Sequence, residues 1–185
     1  MRRIRYSVAM SLDGYIAGPK GESDWIIVDP DIDFGALFKE FDTVLMGRKT
    51  YEAARQMGGG VGMPGVQAYV FSRTLSQADC PGVTVSATPK ETLASLKETP
   101  GKDIWLFGGG SLFRSLLELG LVDTVEVALI PVLLGGGLSL LPPPAQLAGL
   151  RLTKHRVYEK TGTVALEYAV VQPAAGARST KRRRR

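Results

Sequence analysis

The sequence contains very few of the residues that build disulfides and metal sites. Its 185 residues include one cysteine, Cys80, and one histidine, His155. A single cysteine cannot form an internal disulfide, and neither residue belongs to a cluster with the spacing of metal ligands. We therefore expect no disulfide and no bound metal, which leaves zinc-dependent chemistry out of the functions considered.

Long apolar segments are also absent. No apolar run reaches the roughly 18 residues that a membrane-spanning helix requires. The first residues pass directly into a strand-like pattern, without the apolar segment of a secretory signal. We therefore expect a cytoplasmic protein with no membrane partner. A hydrophobic fraction of 44% and a charged fraction of 22% are typical of a globular domain.

Positive charge is scarce outside the C-terminal end. The net charge is +5, but residues 178–185 hold six basic residues and no acid, and the rest of the chain carries −1. The main part of the chain therefore lacks the basic surface of a nucleic-acid-binding protein. We predict one folded domain over residues 1–172, which fits the length. Residues 173–185 are predicted to form a basic, disordered tail.

What the sequence does contain is an alternation of strand-like and helix-like segments. The predicted strands cover residues 4–10, 43–46, 67–71, 83–86, 104–107, 125–130, 150–159 and 163–171. The predicted helices cover residues 30–41, 47–57, 88–98 and a segment after Gly110. This order predicts an α/β fold with a mostly parallel sheet, and the short turn at residues 160–162 predicts an antiparallel C-terminal hairpin.

Two details of these segments are specific enough to test. Phe34, Leu37, Phe38 and Phe41 recur at helical spacing, which predicts a buried stripe on the first helix. Residues 58–65 hold five glycines and a proline, which predicts a flexible surface loop.

Three predicted strands end in residues that suit phosphate binding. After residues 104–107 come Gly108, Gly109, Gly110 and Ser111, and the free N–H groups that open the next helix attract anions. The alternative for such a short glycine cluster is a tight turn where helix packs on sheet. The other two strand ends carry Gly47, Arg48, Lys49 and Thr50, and Ser72, Arg73 and Thr74.

Ligands of open α/β sheets gather at the carboxyl ends of the strands. Arginine forks beside a glycine turn suit a pyrophosphate together with a third phosphate. This combination indicates a dinucleotide with a 2′-phosphate, NADP(H) rather than NAD(H). The turn after the first strand is Asp13-Gly14 and lacks the GxGxxG fingerprint, which argues against an ordinary Rossmann dehydrogenase.

The segments at residues 44–52, 71–74 and 106–110 resemble the dihydrofolate reductase fold family. Residues 10–17, 21–25 and 120–123 are more similar to its branch around the pyrimidine reductase domain of riboflavin biosynthesis. The resemblance covers roughly residues 4–171. It implies a dihydrofolate reductase-like three-layer α/β/α fold with a mostly parallel eight-stranded sheet, NADPH along the carboxyl edge of the sheet, and a homodimer.

The resemblance also implies roles for individual residues. Ser23 and Trp25 correspond to the substrate pocket wall, with Trp25 also near the cofactor. Phe107 occupies the position of a substrate-binding glutamate in the pyrimidine reductase. The implied cofactor-binding residues are Ala9, Ile16, Trp25, Gly47, Arg48, Lys49, Thr50, Ser72, Arg73, Gly108, Gly109, Gly110, Ser111, Leu112 and Phe113.

We therefore expect an NADPH-dependent reductase that transfers a hydride to a C=N or C=O bond of a small heterocyclic or ribosylaminopyrimidine-like substrate, as a 5-amino-6-(5-phosphoribosylamino)uracil reductase does. The alternatives are a dihydrofolate or pterin reductase and a non-catalytic NADPH-binding protein. Asp13 and Asp33 are the candidate catalytic acids, with Asp24, Asp31 or an ordered water as other proton donors.

Overall fold

The computed structural model describes residues 1–56 and 65–171. None of the helices in these two ranges is long and apolar enough to cross a membrane. The elements follow in the order β1 (Ile4–Ser11), β2 (Tyr15–Ala17), α1 (Phe34–Phe38), β3 (Phe41–Gly47), α2 (Arg48–Gln56), β4 (Gln67–Phe71), β5 (Thr84–Ser86), α3 (Pro89–Glu98), β6 (Asp103–Gly108), α4 (Gly110–Glu118), β7 (Thr124–Ile130), β8 (Leu138–Ser139), β9 (Gly149–Tyr158) and β10 (Thr163–Val171).

The main sheet has eight strands in the order β5-β4-β3-β6-β1-β7-β10-β9. The strands from β5 to β7 run parallel to their neighbours. Strand β10 pairs antiparallel with both β7 and β9. This topology confirms the predicted α/β class, the mostly parallel sheet and the antiparallel C-terminal hairpin. Strands β2 and β8 form a separate two-stranded ribbon.

Helices cover both faces of the sheet, which produces three layers. The β3 strand shows this alternation, because Val44 belongs to one core cluster and Leu45 to the other. Tyr51 of α2 packs in the cluster of Val44. The buried residues of α3 and α4 pack in the cluster of Leu45, and they are Leu93, Leu96, Phe113 and Leu116.

The first predicted helix is wrong in its extent and in its buried stripe. Helix α1 covers only Phe34–Phe38 and has no buried residue. It begins after Asp33, whose carboxylate accepts a hydrogen bond from the Ala36 N–H at 2.8 Å, as an N-cap does. Phe41 is buried, but as the first residue of β3, where its ring lies 4.7 Å from the Arg5 guanidinium carbon. Helical spacing cannot show where such a stripe passes into a strand.

An ion-pair network joins the strands at their amino ends. The Arg5 guanidinium pairs with Glu40, Asp103 and Glu126, and its Nε lies 2.6 Å from the Glu126 Oε1. The side chains of Arg5 and Glu126 are 8% and 13% exposed. Burial opposes the charge of Arg5, but the hydrogen bonds to Glu126 and Glu40 outweigh it and raise the pKa of Arg5 overall. The network lies at the edge of the sheet opposite the carboxyl ends of the parallel strands.

Two predictions lie outside the described residues. The predicted glycine loop at residues 58–65 falls there except for Gly65, and the predicted tail at residues 173–185 falls there entirely. The described chain ends with β10 at the amino edge of the sheet, where the Val170 N–H donates to the Asp123 carbonyl at 3.0 Å.

Candidate functional site

The three strand ends singled out in the sequence lie side by side. In the sheet β4, β3 and β6 are consecutive neighbours. Gly47 is in register with Phe71, and Met46 is in register with Gly108. The segments after these residues therefore leave one edge of the sheet together, which is the arrangement that the strand-end argument requires.

The chain also changes direction at this edge. After β3 it continues into α2 on one face of the sheet, and after β6 it continues into α4 on the other face. Two adjacent parallel strands whose helices go to opposite faces leave a crevice between their carboxyl ends. The crevice lies between Gly47 and Gly108.

Helix α2 and the glycine turn contact each other across this crevice. A Cβ atom placed on Gly109 would lie 3.3 Å from the Thr50 Oγ1 atom, and one placed on Gly47 would lie 3.8 Å from the Leu112 Cβ. The Gly108–Gly109 peptide is cis. Gly109 is the N-cap of α4 and has no side chain to satisfy the first N–H groups of that helix. These N–H groups and the Thr50 hydroxyl suit an anionic group.

Gly110 has a different reason to be glycine. A Cβ atom there would lie 2.6 Å from the Ser139 carbonyl oxygen and 3.1 Å from the Leu140 carbonyl oxygen. The tight-turn interpretation therefore holds for Gly110, which packs against the end of β8 and the residue that follows it. Gly108 and Gly109 remain beside the crevice.

The two arginines of the strand ends are on the surface. Arg48 is exposed and donates to Glu52 one helical turn away, with 2.9 Å between its Nη1 and the Glu52 Oε1. Arg73 is exposed and makes no ion pair with any residue that the structure describes. The Ser72 hydroxyl accepts hydrogen bonds from the N–H groups of Thr74 and Leu75 at 3.1 and 3.0 Å, which fixes the turn that presents Arg73. Lys49 is exposed as well.

A second opening lies between β6 and β1. Their pairing ends at Tyr6 and Leu106, whereas β1 stays paired with β7 up to Ser11. The carboxyl half of β1 has therefore separated from β6, and Ala9 lies in this half, partly exposed. Ile16 lies in β2, the strand that comes after the turn at the end of β1, and is partly exposed too.

Phe113 lies in the core, in the same cluster as Tyr6 and Leu45. Its buried ring stacks on Tyr6 with 3.9 Å between the ring centroids, and its N–H donates to the Gly109 carbonyl at 3.1 Å. Ser111 and Leu112 lie in the first turn of α4, Ser111 exposed and Leu112 partly buried. The predicted cofactor-binding residues include the continuous segment 108–113. Because α4 begins within this segment, some of its side chains point into the core.

The candidate acids have structural partners. The Asp13 carboxylate accepts from the Ser11 hydroxyl at 2.6 Å and from the Leu134 and Gly135 N–H groups at 3.1 and 2.7 Å. These hydrogen bonds, that of Ser11 foremost, lower the pKa of Asp13, so its carboxyl group is ionised at neutral pH. Asp33 caps α1. Their catalytic role stays a prediction.

The predicted substrate residues lie in the loop between β2 and α1. Ser23 is exposed, and the partly buried Trp25 donates its indole N–H to the Glu22 carbonyl at 3.1 Å. The loop is fastened to the C-terminal hairpin, because the buried Asp29 accepts from the Thr161 hydroxyl at 2.9 Å. The role of Ser23 stays a prediction.

An aromatic wall that the sequence argument missed stands on the same face of the sheet as α1. Ring centroids lie 5.8 Å apart between Phe34 and Phe38, 5.4 Å between Phe38 and Trp105, and 5.0 Å between Trp105 and Phe107. The spacings i, i+4 in the helix and i, i+2 in the strand each place two of these rings on one face. Nothing in the sequence shows that the two faces meet.

No group of three or more metal-ligating side chains occurs in residues 1–56 and 65–171. Separately, the exposed cationic side chains of Arg48, Lys49 and Arg73 at the carboxyl edge are of the kind that pairs with phosphate groups.

Comparison with known proteins decides the family. The family model described as the RibD C-terminal domain matches residues 2–164. The chain belongs to this family. The protein YyaP of Bacillus subtilis (strain 168), which is uncharacterized, is 36% identical over 178 residues, covering 90% of this chain and 94% of YyaP.

Two solved structures share the fold. One is a diaminohydroxyphosphoribosylaminopyrimidine deaminase/5-amino-6-(5-phosphoribosylamino)uracil reductase from Thermotoga maritima, with a TM-score of 0.66, 17% identity, and coverage of 92% of this chain and 57% of that one. The other is a dihydrofolate reductase from Enterococcus faecalis complexed with NADP(H), with a TM-score of 0.69, 18% identity, and coverage of 92% and 97%. They confirm the dihydrofolate reductase-like fold predicted from the sequence.

Proposed function

We propose that the protein is an NADPH-dependent reductase that acts on a small planar heterocycle, with ribosylaminopyrimidine-like compounds as the first substrates to test. One observation carries the proposal. The glycine turn and the start of α2 flank the crevice between β3 and β6, and the Ser72–Arg73 turn lies next to them at the end of β4. Three separate anion-binding groups at one edge match the spread of phosphates on NADP(H) better than a single phosphate.

The residues at the crevice fit this cofactor in two groups. The N–H groups at the start of α4, with Lys49 and the Thr50 hydroxyl, suit the diphosphate. Arg48 and Arg73 suit the 2′-phosphate, since each exposes a guanidinium group from a neighbouring strand end. Ala9 and Ile16, with their small or aliphatic side chains at the opening between β1 and β6, suit the nicotinamide ring. When bound, NADPH would supply the hydride, and the chain would position both rings and exclude water.

Two alternatives differ in the fate of the bound cofactor. A dihydrofolate or pterin reductase would consume NADPH with dihydrofolate or dihydropterin. A non-catalytic NADPH-binding protein would bind the cofactor and consume none. The reductase interpretation is favoured by the aromatic wall beside the opening between β1 and β6, because a protein that only binds the cofactor has no need of a second ring site. Localisation in the cytoplasm and a homodimer remain part of the proposal, and sedimentation of the pure protein tests the dimer.

Cofactor choice gives the first test. We expect NADPH to bind at least tenfold more tightly than NADH, because two guanidinium groups are available for the 2′-phosphate. Arg73→Ala should weaken NADPH binding about tenfold and leave NADH binding unchanged, as measured by isothermal titration calorimetry. Arg151→Ala, which removes an exposed arginine of β9, is the matched control. Equal affinities of the unmodified protein for NADPH and NADH would contradict the proposed cofactor.

Turnover gives the second test. NADPH oxidation is followed at 340 nm with a ribosylaminopyrimidine, a dihydropterin and dihydrofolate as separate acceptors. Consumption with the ribosylaminopyrimidine alone supports the proposal. Consumption with dihydrofolate alone supports the folate alternative, and tight binding without any consumption supports the non-catalytic one.

A further inference from the structure

The aromatic wall presents ring surface to solvent beside the second opening of the sheet. Phe107 and Phe34 are 41% and 37% exposed, although both rings have aromatic neighbours. Phe107 immediately precedes the glycine turn. The Phe107 and Trp105 rings are nearly perpendicular, with an interplanar angle of 80°, so they do not stack face to face. Exposed aromatic rings grouped in one place mark a binding site more often than a solvent-facing surface.

The position of the wall relative to the opening follows from the pairing of the strands. Trp105 is in register with Arg5, and its indole N–H donates to the Ser7 carbonyl at 3.0 Å. Phe107, two residues further along β6, is therefore on the same face and at the level where β1 has left its partner. A ring held against Phe107 would lie beside the part of β1 that holds Ala9.

No carboxylate that the structure describes provides a buried, unpartnered acceptor beside the wall. Asp33, which directly precedes Phe34, is exposed and accepts the Ala36 N–H at the start of α1. Residues 57–64 and 172–185 contain no acid, so all 18 acids are in the described part of the chain. Five of them make no hydrogen bond or ion pair within those residues, and each is exposed on a loop or a helix surface: Asp24, Glu91, Glu98, Glu118 and Glu159. The others each accept a hydrogen bond or pair with a cation, as Glu126 does with Arg5.

This distribution bears on substrate class. A 2-amino-4-oxo ring, as in pterins, presents adjacent N–H donors that a buried, unengaged carboxylate would bind through two parallel hydrogen bonds. No described carboxylate is both buried and free of partners. The tyrosine hydroxyl of Tyr6 is the buried side-chain polar atom that lacks a partner among the described residues, and it lies in the cluster on the other face of the sheet.

We propose that Phe34, Phe38, Trp105 and Phe107 form the substrate subsite, and that it selects a neutral planar ring without an amidine edge by stacking, with Phe107 as the specificity-determining residue. This inference rests on the proposed function, because it names the residues that would bind the substrate ring next to the nicotinamide ring of NADPH. It restricts the proposed substrates to heterocycles that are recognised by stacking on aromatic side chains and not by hydrogen bonds to the ring edge. Pterins and folates are then poor ligands.

The test measures binding without the cofactor, so that it does not depend on turnover. The probes are 1,4-naphthoquinone, which is neutral and has no N–H edge, and pterin, which has the same ring size and an amidine edge. Quenching of the fluorescence of the two tryptophans, Trp25 and Trp105, reports binding. We expect naphthoquinone to bind and pterin to bind at least tenfold more weakly.

Two variants of Phe107, a control variant and a variant of Phe34 test this role. Phe107→Leu keeps an apolar side chain but removes the ring, and should weaken naphthoquinone binding about 3- to 10-fold. Phe107→Glu should reverse the preference in favour of pterin. Leu147→Ala, at a fully exposed leucine in the loop before β9, should change neither affinity. Phe34→Leu repeats the first comparison from the helix side and replaces it if a Phe107 variant fails to fold.

Two results would overturn the inference. One is pterin binding to the unmodified protein as tightly as naphthoquinone. The other is a Phe107→Leu variant that binds naphthoquinone like the Leu147→Ala control. A separate NADPH titration of the same preparations distinguishes this inference from the proposed function. If NADPH binds but the protein does not prefer naphthoquinone to pterin, only the inference about the aromatic wall is overturned.

Discussion

Tyr6 brings a hydroxyl group into the core without a hydrogen-bond partner among the residues described. Its ring stacks on Phe113, and burial raises the pKa of the hydroxyl group. An unpaired buried hydroxyl costs free energy, whereas the ring contributes to packing. Tyr6→Phe should therefore raise the free energy of unfolding by about 1 kcal/mol, measured by urea denaturation.

Tyr51→Phe serves as the control for that change. Burial, and then the interaction with the neighbouring Cys80 thiol, raises the pKa of Tyr51. Because the Tyr51 hydroxyl has this neighbour, its removal should lower the free energy of unfolding rather than raise it. A Tyr6→Phe variant that is less stable than the unmodified protein would mean that the hydroxyl has a partner, such as a buried water.

The glycine turn gives a second test on single residues. Gly110→Ala should lower the free energy of unfolding by about 1–3 kcal/mol, because the new Cβ would collide with the carbonyl oxygens of Ser139 and Leu140. Gly136→Ala is the control, since a Cβ there meets no atom within 4 Å. Urea denaturation without any ligand measures both. Equal stabilities would show that the segment after β8 moves aside, and that packing does not require glycine at position 110.

At the scale of the elements, the ion pairs of Arg5 join β1 to β7, to β6 and to the residue before β3. Glu126→Gln should lower the free energy of unfolding by about 2 kcal/mol. The buried guanidinium of Arg5 would lose one of the negative charges that offset the cost of its burial. Glu52→Gln, in an exposed pair with Arg48, should cost less than about 0.5 kcal/mol. Urea denaturation at low and high salt compares them, and a Glu126→Gln loss no larger than that of Glu52→Gln would contradict this account.

The elements predicted from sequence hold wherever one pattern dominates. The apolar β3 and β6 strands, the alternating C-terminal hairpin and the Pro-initiated α3 all appear in the structure. Helix α1 does not match its predicted bounds, because four aromatic and aliphatic residues at helical spacing are shared between a short helix and the start of a strand. Periodicity reports which side chains tend to be buried together. It does not report where the backbone changes conformation.

The site divides in a similar way. The strand-end argument correctly grouped Gly47, Arg48, Ser72, Arg73 and Gly108 at one edge, since parallel strands share their carboxyl ends. The aromatic wall could not be found that way, because Phe38 and Trp105 meet only through the packing of α1 on β6. The burial of Phe113 could not be read from the sequence, because it depends on the rotation of α4, and its place in the cofactor site stays a prediction.

At the scale of the whole molecule, the excess of positive charge is carried by the last eight residues of the sequence. The described chain leaves β10 at the amino edge of the sheet, and the cleft lies at the carboxyl edge. Replacing the six basic residues after position 177 with glutamine in the full chain should change the Kd for NADPH by less than about twofold, since salt screens charges over about 8 Å. The same change should remove most retention on a heparin column at low salt.

Titration calorimetry and the elution salt concentration measure these two effects. Unchanged retention would show that basic residues of the domain bind the column instead. A large loss of NADPH affinity would place the tail at the cleft, against the direction in which β10 runs.

The separation of β1 from β6 after Tyr6 has a consequence for how the cleft can be observed. Along an ordinary central strand every backbone N–H is protected from solvent by one neighbour or the other. In the second half of β1, every other N–H points to where β6 has departed, so those amide protons exchange with deuterated water at rates set by the occupant of the cleft. Hydrogen–deuterium exchange followed by mass spectrometry can therefore report whether the cleft is occupied, without an attached fluorophore or a turnover assay.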